Sequence, residues 1–85
     1  MADIEIYTTP TCPYCAAAKR LLGKKGVTYR EIDVSRDPDL RSAMTRRAGG
    51  RHTVPQIFIG ETHVGGSDDL HALEAAGRLD PLLKG

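Results

Sequence analysis

The sequence predicts a single α/β domain over residues 1–85, in which helices flank a small four-stranded mixed sheet. Short stretches with alternating apolar and polar residues, typical of strands, stand beside stretches with apolar residues at helical spacing. Their order along the chain is β-α-β-α-β-β-α. Because a helix joins the first two strands, we expect a right-handed crossover and a parallel pair.

The first half of the chain contains two strands and two helices. The predicted segments are a strand over 3–8, a helix from Tyr14, a strand over 27–34 and a helix that follows Asp37 and ends at Gly49-Gly50. Ile4 and Ile6 lie on one face of the first strand. The alternation of the second strand breaks near Glu31. Asp37-Pro38 combines a capping residue with proline at the first helical position.

The second half contains a hairpin and a third helix. The predicted segments are a strand over 56–59, a turn at Gly60-Glu61, a strand over 62–64, a helix with Ser67 as N-cap that ends at Gly77, and a short last turn from Asp80-Pro81. Gly60 supplies the positive φ that a two-residue hairpin turn needs. Asp68 and Asp69 fall in the first turn of the third helix, where carboxylates are favoured.

Composition and charge exclude several function classes. The net charge is +1, so nothing indicates a nucleic acid or a membrane surface as a partner. The chain has no basic-then-apolar N-terminal segment and no apolar run near the roughly 18–20 residues of a membrane span. We therefore expect a cytoplasmic monomer. In a reducing compartment, a close cysteine pair is more often catalytic or metal-binding than structural.

The two cysteines, Cys12 and Cys15, stand where the first strand gives way to the first helix. Pro13 suits the first helical turn, which puts Cys12 at or just before the helix start. There the free N–H groups of Tyr14 and Cys15 and the positive end of the helix dipole favour a thiolate. Cys15 lies inside the first turn and is more shielded. We predict that Cys12 is the nucleophile and Cys15 the resolving cysteine.

Half of a zinc site is the main alternative for this pair. The possible further ligands are His52, His63 and His71. Their spacings do not match the compact His-x₃₋₅-His half of such a site, so we expect no metal. His63 and His71 are interpreted as a surface strand residue and a surface helix residue.

Three motifs span most of the chain: Thr11-Cys12-Pro13-Tyr14-Cys15, Thr53-Val54-Pro55-Gln56-Ile57-Phe58-Ile59 and Gly65-Gly66-Ser67-Asp68-Asp69-Leu70. In this order, and on this pattern of elements, they resemble a dithiol glutaredoxin, most like the small bacterial glutaredoxin-3 type. The resemblance implies a thioredoxin-like fold and a glutathione-dependent thiol–disulfide oxidoreductase. It also implies a cis bond between Val54 and Pro55, with the Thr53-Val54 backbone beside Cys12.

The resemblance further implies a glutathione site, formed by Tyr14, Arg51, Thr53, Val54, Pro55, Gly66, Ser67 and Asp68. Val54 would pair main chain to main chain with the cysteinyl residue, like an added antiparallel strand. Ser67 and Asp68 would hold the γ-glutamyl end, with backbone N–H groups on its α-carboxylate and the Asp68 side chain on its ammonium. Tyr14 would flank the sulfur, and Arg51 would meet the glycine carboxylate.

One position departs from the family pattern. Many relatives carry a lysine three residues before the nucleophile, whereas this chain has Thr9, followed by Pro10. The local positive charge is therefore weaker. We expect activation of Cys12 to depend more on the helix terminus and the local N–H groups, or Arg51 to compensate.

The resemblance implies two reactions that begin with attack by the Cys12 thiolate. Glutathionylated proteins would pass their glutathione to Cys12, while protein disulfides would need Cys15 to resolve the mixed disulfide. Electrons would come from glutathione and ultimately from NADPH through glutathione reductase. Ribonucleotide reductase is a protein substrate expected from the family. Two alternatives remain open: an iron–sulfur carrier that uses Cys12 and glutathione, and a redoxin reduced by thioredoxin reductase.

Overall fold

A computed structural model describes residues 3–84 of the chain. Within them lie four strands and four helices, in the order β1 (Ile4–Thr8), α1 (Pro13–Lys24), β2 (Arg30–Asp33), α2 (Pro38–Arg47), β3 (Gln56–Ile59), β4 (Thr62–Gly65), α3 (Ser67–Ala75) and α4 (Leu79–Leu83). The predicted order of the first seven elements is confirmed. The α/β class, with its mixed four-stranded sheet, is confirmed as well.

The strands form one sheet in the order β2-β1-β3-β4. β1 and β2 are parallel, as the helical connection between them predicts, and Tyr7 lies opposite Ile32. β3 runs antiparallel to β1, with Ile6 opposite Ile57, and β4 runs antiparallel to β3. The two central strands thus lie between edges formed by β2 and β4. Their shared register sets the loop before β3 close to the end of β1.

The central strands are buried on both faces because their side chains alternate between two cores. Ile4 and Ile6 of β1 join a larger core with residues of β3, α1, α3 and α4. Tyr7 and Phe58 point to the other face, where they pack with Met44 of α2. Val34, which precedes α2, and Ala48, which follows it, belong to the same smaller core. α2 therefore covers one face of the sheet, and the other three helices cover the opposite face.

A charged cluster closes the smaller core. The guanidinium of Arg47 lies 4.0 Å from the centre of the Phe58 ring, and its Nη1 donates to the Tyr7 hydroxyl at 3.2 Å. The same Nη1 is 2.8 Å from Glu5, whose carboxylate also meets Arg30 at 2.8 Å. Burial alone would raise the pKa of Glu5, but these two cations hold it below its usual value. The cluster links α2 to both central strands.

Three differences from the predicted segments have a structural reason, and the other ends shift by one or two residues. The predicted short last turn is a helix that begins at Leu79, since Leu79 and Leu83 are buried in the larger core one turn apart. The N-cap of α3 is Gly66, and Ser67 is its first helical residue. β2 is shorter than residues 27–34. The alternation of apolar and polar residues breaks near Glu31 because its carboxylate points outward. There it accepts hydrogen bonds from Thr8 and Lys19 at 2.9 and 3.0 Å.

Replacing Arg47 with methionine tests the charged cluster, because methionine keeps the aliphatic stem and removes the charge. We expect the free energy of unfolding to fall by about 1–2 kcal/mol, since exposed ion pairs contribute about 0–1 kcal/mol and cation–π contacts about 0.5–2 kcal/mol. Urea denaturation followed by circular dichroism measures the change. Arg46→Met is the matched control, as Arg46 is exposed and forms no ion pair within residues 3–84. Equal losses in both variants would contradict this interpretation.

Candidate active site

Cys12 is the N-cap of α1, as predicted. Its backbone is extended, with φ −90° and ψ 113°, and its Sγ accepts the N–H of Cys15 at 3.2 Å. Pro13 is the first helical residue, so the N–H that proline lacks is not needed there. The sulfur therefore lies at the positive end of the helix dipole and accepts a backbone N–H of the first turn.

Cys15 lies one turn into α1 and is buried, with 1% of its surface exposed. Burial is the largest cause, and the hydrogen bond to Cys12 the second, that raises the pKa of the Cys15 thiol to about 12. Both cysteines are free thiols. The two cysteines thus differ as predicted: Cys12 is partly exposed and its sulfur accepts the Cys15 N–H, whereas Cys15 is buried and protonated at neutral pH.

The loop before β3 approaches the same sulfur. The Val54–Pro55 bond is cis, which confirms the prediction from the family resemblance. The Cys12 thiol points at the Val54 carbonyl oxygen, with 3.7 Å between sulfur and oxygen. Val54 forms no main-chain hydrogen bond among residues 3–84. An unpaired stretch of backbone therefore lies beside the reactive sulfur.

A groove of about 290 Å³ opens next to Val54. Its lining consists of the eight residues predicted for the glutathione site, Tyr14, Arg51, Thr53, Val54, Pro55, Gly66, Ser67 and Asp68. They come from the start of α1, the loop before β3 and the start of α3. Tyr14 is the most exposed large apolar side chain among residues 3–84, at 64%. The fold brings these three chain segments together around one groove.

Arg51 lies at the α3 end of this groove. Its Nη1 is 3.2 Å from Asp69 Oδ2, and the same carboxylate oxygen accepts the Gly66 N–H at 2.9 Å. The Gly66 N–H and the Arg51 guanidinium, with burial opposing them, hold the pKa of Asp69 below its usual value. Gly65 has φ +113°, and a Cβ there would collide with Asp69 and lie 2.7 Å from Arg51 Nη1. Only glycine fits at this close approach.

Asp69 was interpreted from the sequence as ordinary helix-terminal charge, and its contact with the Gly66 N–H agrees with that. Its second partner, Arg51, was missed because the two residues are 18 positions apart. The carboxylate at the third helical position after a cap was the available signal for the first contact. Only the tertiary structure reveals the second. The charge of Arg51 is thereby paired at α3.

The departure at Thr9 also has a structural setting. Its carbonyl oxygen accepts the Cys12 N–H at 3.4 Å, so the backbone at this position supports the cap residue.

Within residues 3–84, no three His, Cys, Asp or Glu side chains cluster as a metal site would require. In the same part of the chain, none of the helices combines the length and hydropathy needed to cross a bilayer.

The comparisons with known proteins agree on one family. The family model described as glutaredoxin matches residues 4–64. A glutaredoxin of Pseudomonas aeruginosa is 60% identical over 83 residues, which is 98% of both chains. Glutaredoxin 3 of Escherichia coli strain K12 is 56% identical over 84 residues, covering 99% of this chain and 100% of that one. The predicted likeness to the glutaredoxin-3 type is confirmed.

The fold comparison leads to the same family. The crystal structure of a buckwheat glutaredoxin–glutathione complex superposes with a TM-score of 0.88, at 29% identity. The match covers 98% of this chain and 77% of that one. The predicted thioredoxin-like fold is confirmed.

Alkylation kinetics test the difference between the two sulfurs. In a Cys12→Ser variant at pH 8, we expect iodoacetamide to leave Cys15 unmodified in the folded state. With a pKa of about 12, only about one Cys15 thiol in ten thousand is ionised at that pH, and the thiolate is the reacting species. Burial, the largest cause of the raised pKa, persists in the variant. Reaction should accelerate as the pH rises toward 12.

Intact-protein mass spectrometry measures the modification. The same variant in urea is the control, in which Cys15 should react like a free cysteine. Rapid modification of the folded variant at pH 8 would show that Cys15 is not enclosed as described.

Proposed function

The chain belongs to the glutaredoxin family and is a glutathione-dependent thiol–disulfide oxidoreductase, and we propose that Cys12 is its nucleophile, Cys15 its resolving cysteine and the adjoining groove its glutathione site. One observation carries the proposal. The Cys12 sulfur is at a helix N-terminus, 3.2 Å from the Cys15 N–H and 3.7 Å from the carbonyl oxygen of a residue that lines the groove.

The cysteinyl part of glutathione fits the Val54 backbone. The N–H and C=O of Val54 have no main-chain partners within residues 3–84, so a tripeptide can add there as a short antiparallel strand. That pairing would direct the sulfur of glutathione toward Cys12. Tyr14, exposed at the groove wall, would cover the sulfur from the solvent side. The buckwheat glutaredoxin–glutathione complex supports glutathione as the ligand.

The γ-glutamyl end fits the N-terminus of α3. The Gly66 N–H is already taken by Asp69, so the N–H groups of Ser67 and Asp68 remain for an α-carboxylate. The Asp68 carboxylate is exposed beside them and would pair with the ammonium group. Arg51 also lies at this end, against Asp69. The contact of Arg51 with the glycine carboxylate, which the family resemblance implies, stays a prediction.

The reaction follows from these positions. The Cys12 thiolate attacks the glutathione sulfur of a glutathionylated protein, the protein leaves as its thiolate, and glutathione stays on Cys12. A second glutathione thiolate attacks that mixed disulfide, which regenerates Cys12 and yields oxidised glutathione. NADPH and glutathione reductase would return the oxidised glutathione to its thiol form. Cys15 takes no part in this cycle.

A protein disulfide requires the second cysteine. Cys12 attacks one sulfur of the disulfide, and the other leaves as a thiolate that takes up a proton. Cys15 loses its proton as it attacks Cys12, releases the reduced protein and leaves a Cys12–Cys15 disulfide. Two glutathione molecules then reduce that bond. The raised pKa of Cys15 keeps it from reacting before Cys12 has formed the mixed disulfide.

We further propose that the chain acts as a monomer in the cytoplasm, on glutathionylated and disulfide-containing proteins, with ribonucleotide reductase as one candidate. The family match does not favour the iron–sulfur carrier or the redoxin served by thioredoxin reductase. The paired cysteines separated by Pro13 and Tyr14 are consistent with that preference.

Serine variants of the two cysteines separate the reactions. Cys12→Ser should abolish both, because no other accessible thiol is present in residues 3–84. Cys15→Ser should keep reduction of a glutathionylated peptide and lose reduction of a protein disulfide such as that of insulin. NADPH oxidation coupled through glutathione reductase measures the first activity, and precipitation of insulin chains in glutathione buffer measures the second. Loss of both activities in Cys15→Ser would contradict the division of roles.

Asp68→Ala tests the γ-glutamyl contact. We expect the KM for glutathione to rise about fivefold to tenfold with a smaller change in kcat, since a hydrogen bond to a charged group contributes about 1.5–3 kcal/mol before solvent screening. Asp39→Ala is the matched control, because Asp39 holds the same second position in α2 and is equally exposed. An unchanged KM in Asp68→Ala, or an equal rise in Asp39→Ala, would refute the assignment.

A further inference from the structure

Gln56, the first residue of β3, is a fully buried polar side chain next to the groove. Its Nε2 donates to the Thr53 carbonyl oxygen at 3.0 Å and to Thr53 Oγ1 at 3.3 Å. Its Oε1 lies 2.7 Å from Nε2 of His63 on β4. The carboxamide thus bridges the sheet and the loop that presents Val54. The catalytic scheme above assigns no role to either Gln56 or His63.

The bridge requires one orientation of the Gln56 carboxamide. The Thr53 carbonyl is an acceptor, so the amide nitrogen of Gln56 must face it. The Gln56 oxygen then faces His63, which must donate from Nε2. A His63 protonated on Nδ1 alone would set two acceptors 2.7 Å apart. The tautomer of His63 therefore decides whether Gln56 can hold Thr53.

His63 is held in place for this role. Its ring stacks on Phe58 with a centroid distance of 4.8 Å and an interplanar angle of 22°, and the two residues are cross-strand partners. Burial, with the nearby Arg51 and Arg47, lowers the pKa of His63, while Asp69 opposes the shift. The imidazole is neutral at physiological pH. His63 lies on the edge strand β4, as predicted, but its ring is half-buried and hydrogen-bonded, which the sequence did not indicate.

We propose that His63 is a positioning residue, which through Gln56 holds the Thr53-Val54 backbone in the orientation that receives the cysteinyl part of glutathione. The inference rests on the proposed function of the groove. Thr53 is the residue directly before Val54, and the Val54 carbonyl oxygen is the group that faces the Cys12 sulfur. Releasing Thr53 would let that backbone rotate away from both ligand and sulfur, although neither His63 nor Gln56 lines the groove.

His63→Phe and Gln56→Met test the proposal. Phenylalanine keeps the stacking on Phe58 and removes the donor, and methionine keeps the volume of Gln56 and removes both amide functions. We expect the KM for glutathione to rise about threefold to tenfold in each, the range that one net hydrogen bond allows, with kcat within about twofold. The double variant should equal Gln56→Met alone, because both changes break one chain of contacts.

Two further variants separate positioning from general stability. His63→Gln can still donate to Gln56 and should restore most of the KM. Thr62→Val alters the neighbouring exposed position of β4 and should leave the kinetics unchanged. The midpoint of urea unfolding is recorded for every variant. A KM that follows the midpoint of unfolding across the set, and not the presence of a donor at 63, would overturn the proposal.

Nitrogen-15 spectra of the imidazole provide an independent measurement that needs no variant. We expect the neutral tautomer with hydrogen on Nε2, and the Nδ1 tautomer would overturn the proposal. The kinetic series also distinguishes the two levels of inference. If the wild-type protein shows no glutathione dependence, the proposed function fails. If it does, and His63→Phe and Gln56→Met keep the wild-type KM, only the role of His63 fails.

Discussion

The hydrogen bond from the Cys15 N–H to the Cys12 sulfur is the contact on which the active site depends. It makes a thiol the capping group of α1, so the reactive atom occupies the place where a helix most strongly favours negative charge. The same turn carries Cys15 inward, where 1% of its surface is exposed. The anchoring of α1 through Ala18 and Leu22 against the central strands fixes where that cap points.

The topology of the sheet brings the rest of the site to this cap. β3 runs antiparallel beside β1, so the loop before β3 meets the end of β1 and the start of α1, although Val54 is 42 residues from Cys12. The hairpin to β4 then returns the chain to the same end, where α3 begins. Three loops at one end of a sheet thus provide the proposed nucleophile, a stretch of backbone without main-chain partners and a helix N-terminus.

Local patterns predicted the order of the elements and the placement of the cysteine pair, and the family resemblance implied the glutathione site. The cysteine spacing, Pro13 and the alternation of β1 each depend on neighbours a few residues away, and all three agree with the structure. The contacts that the sequence did not reveal join residues with distant partners. The ion pair of Arg51 with Asp69 and the hydrogen bond of His63 to Gln56 join residues 18 and 7 positions apart, in a geometry that only the packed fold defines. The cis bond at Pro55 was inferred from family resemblance, since the local sequence of an X–Pro pair does not determine its isomer.

The enclosure of Cys15 also bears on how the protein withstands oxidants. Peroxides attack thiolates, and stepwise oxidation beyond the sulfenic state cannot in general be reversed. Residues 3–84 contain three sulfur atoms, and those of Cys15 and Met44 are buried, at 1% and 0% exposure. Oxidation is therefore expected mainly at Cys12, where glutathione can convert a sulfenic acid into a mixed disulfide before it is oxidised further. Within the part of the chain that the structure describes, the exposed sulfur is thereby the one that the protein's own cosubstrate can repair.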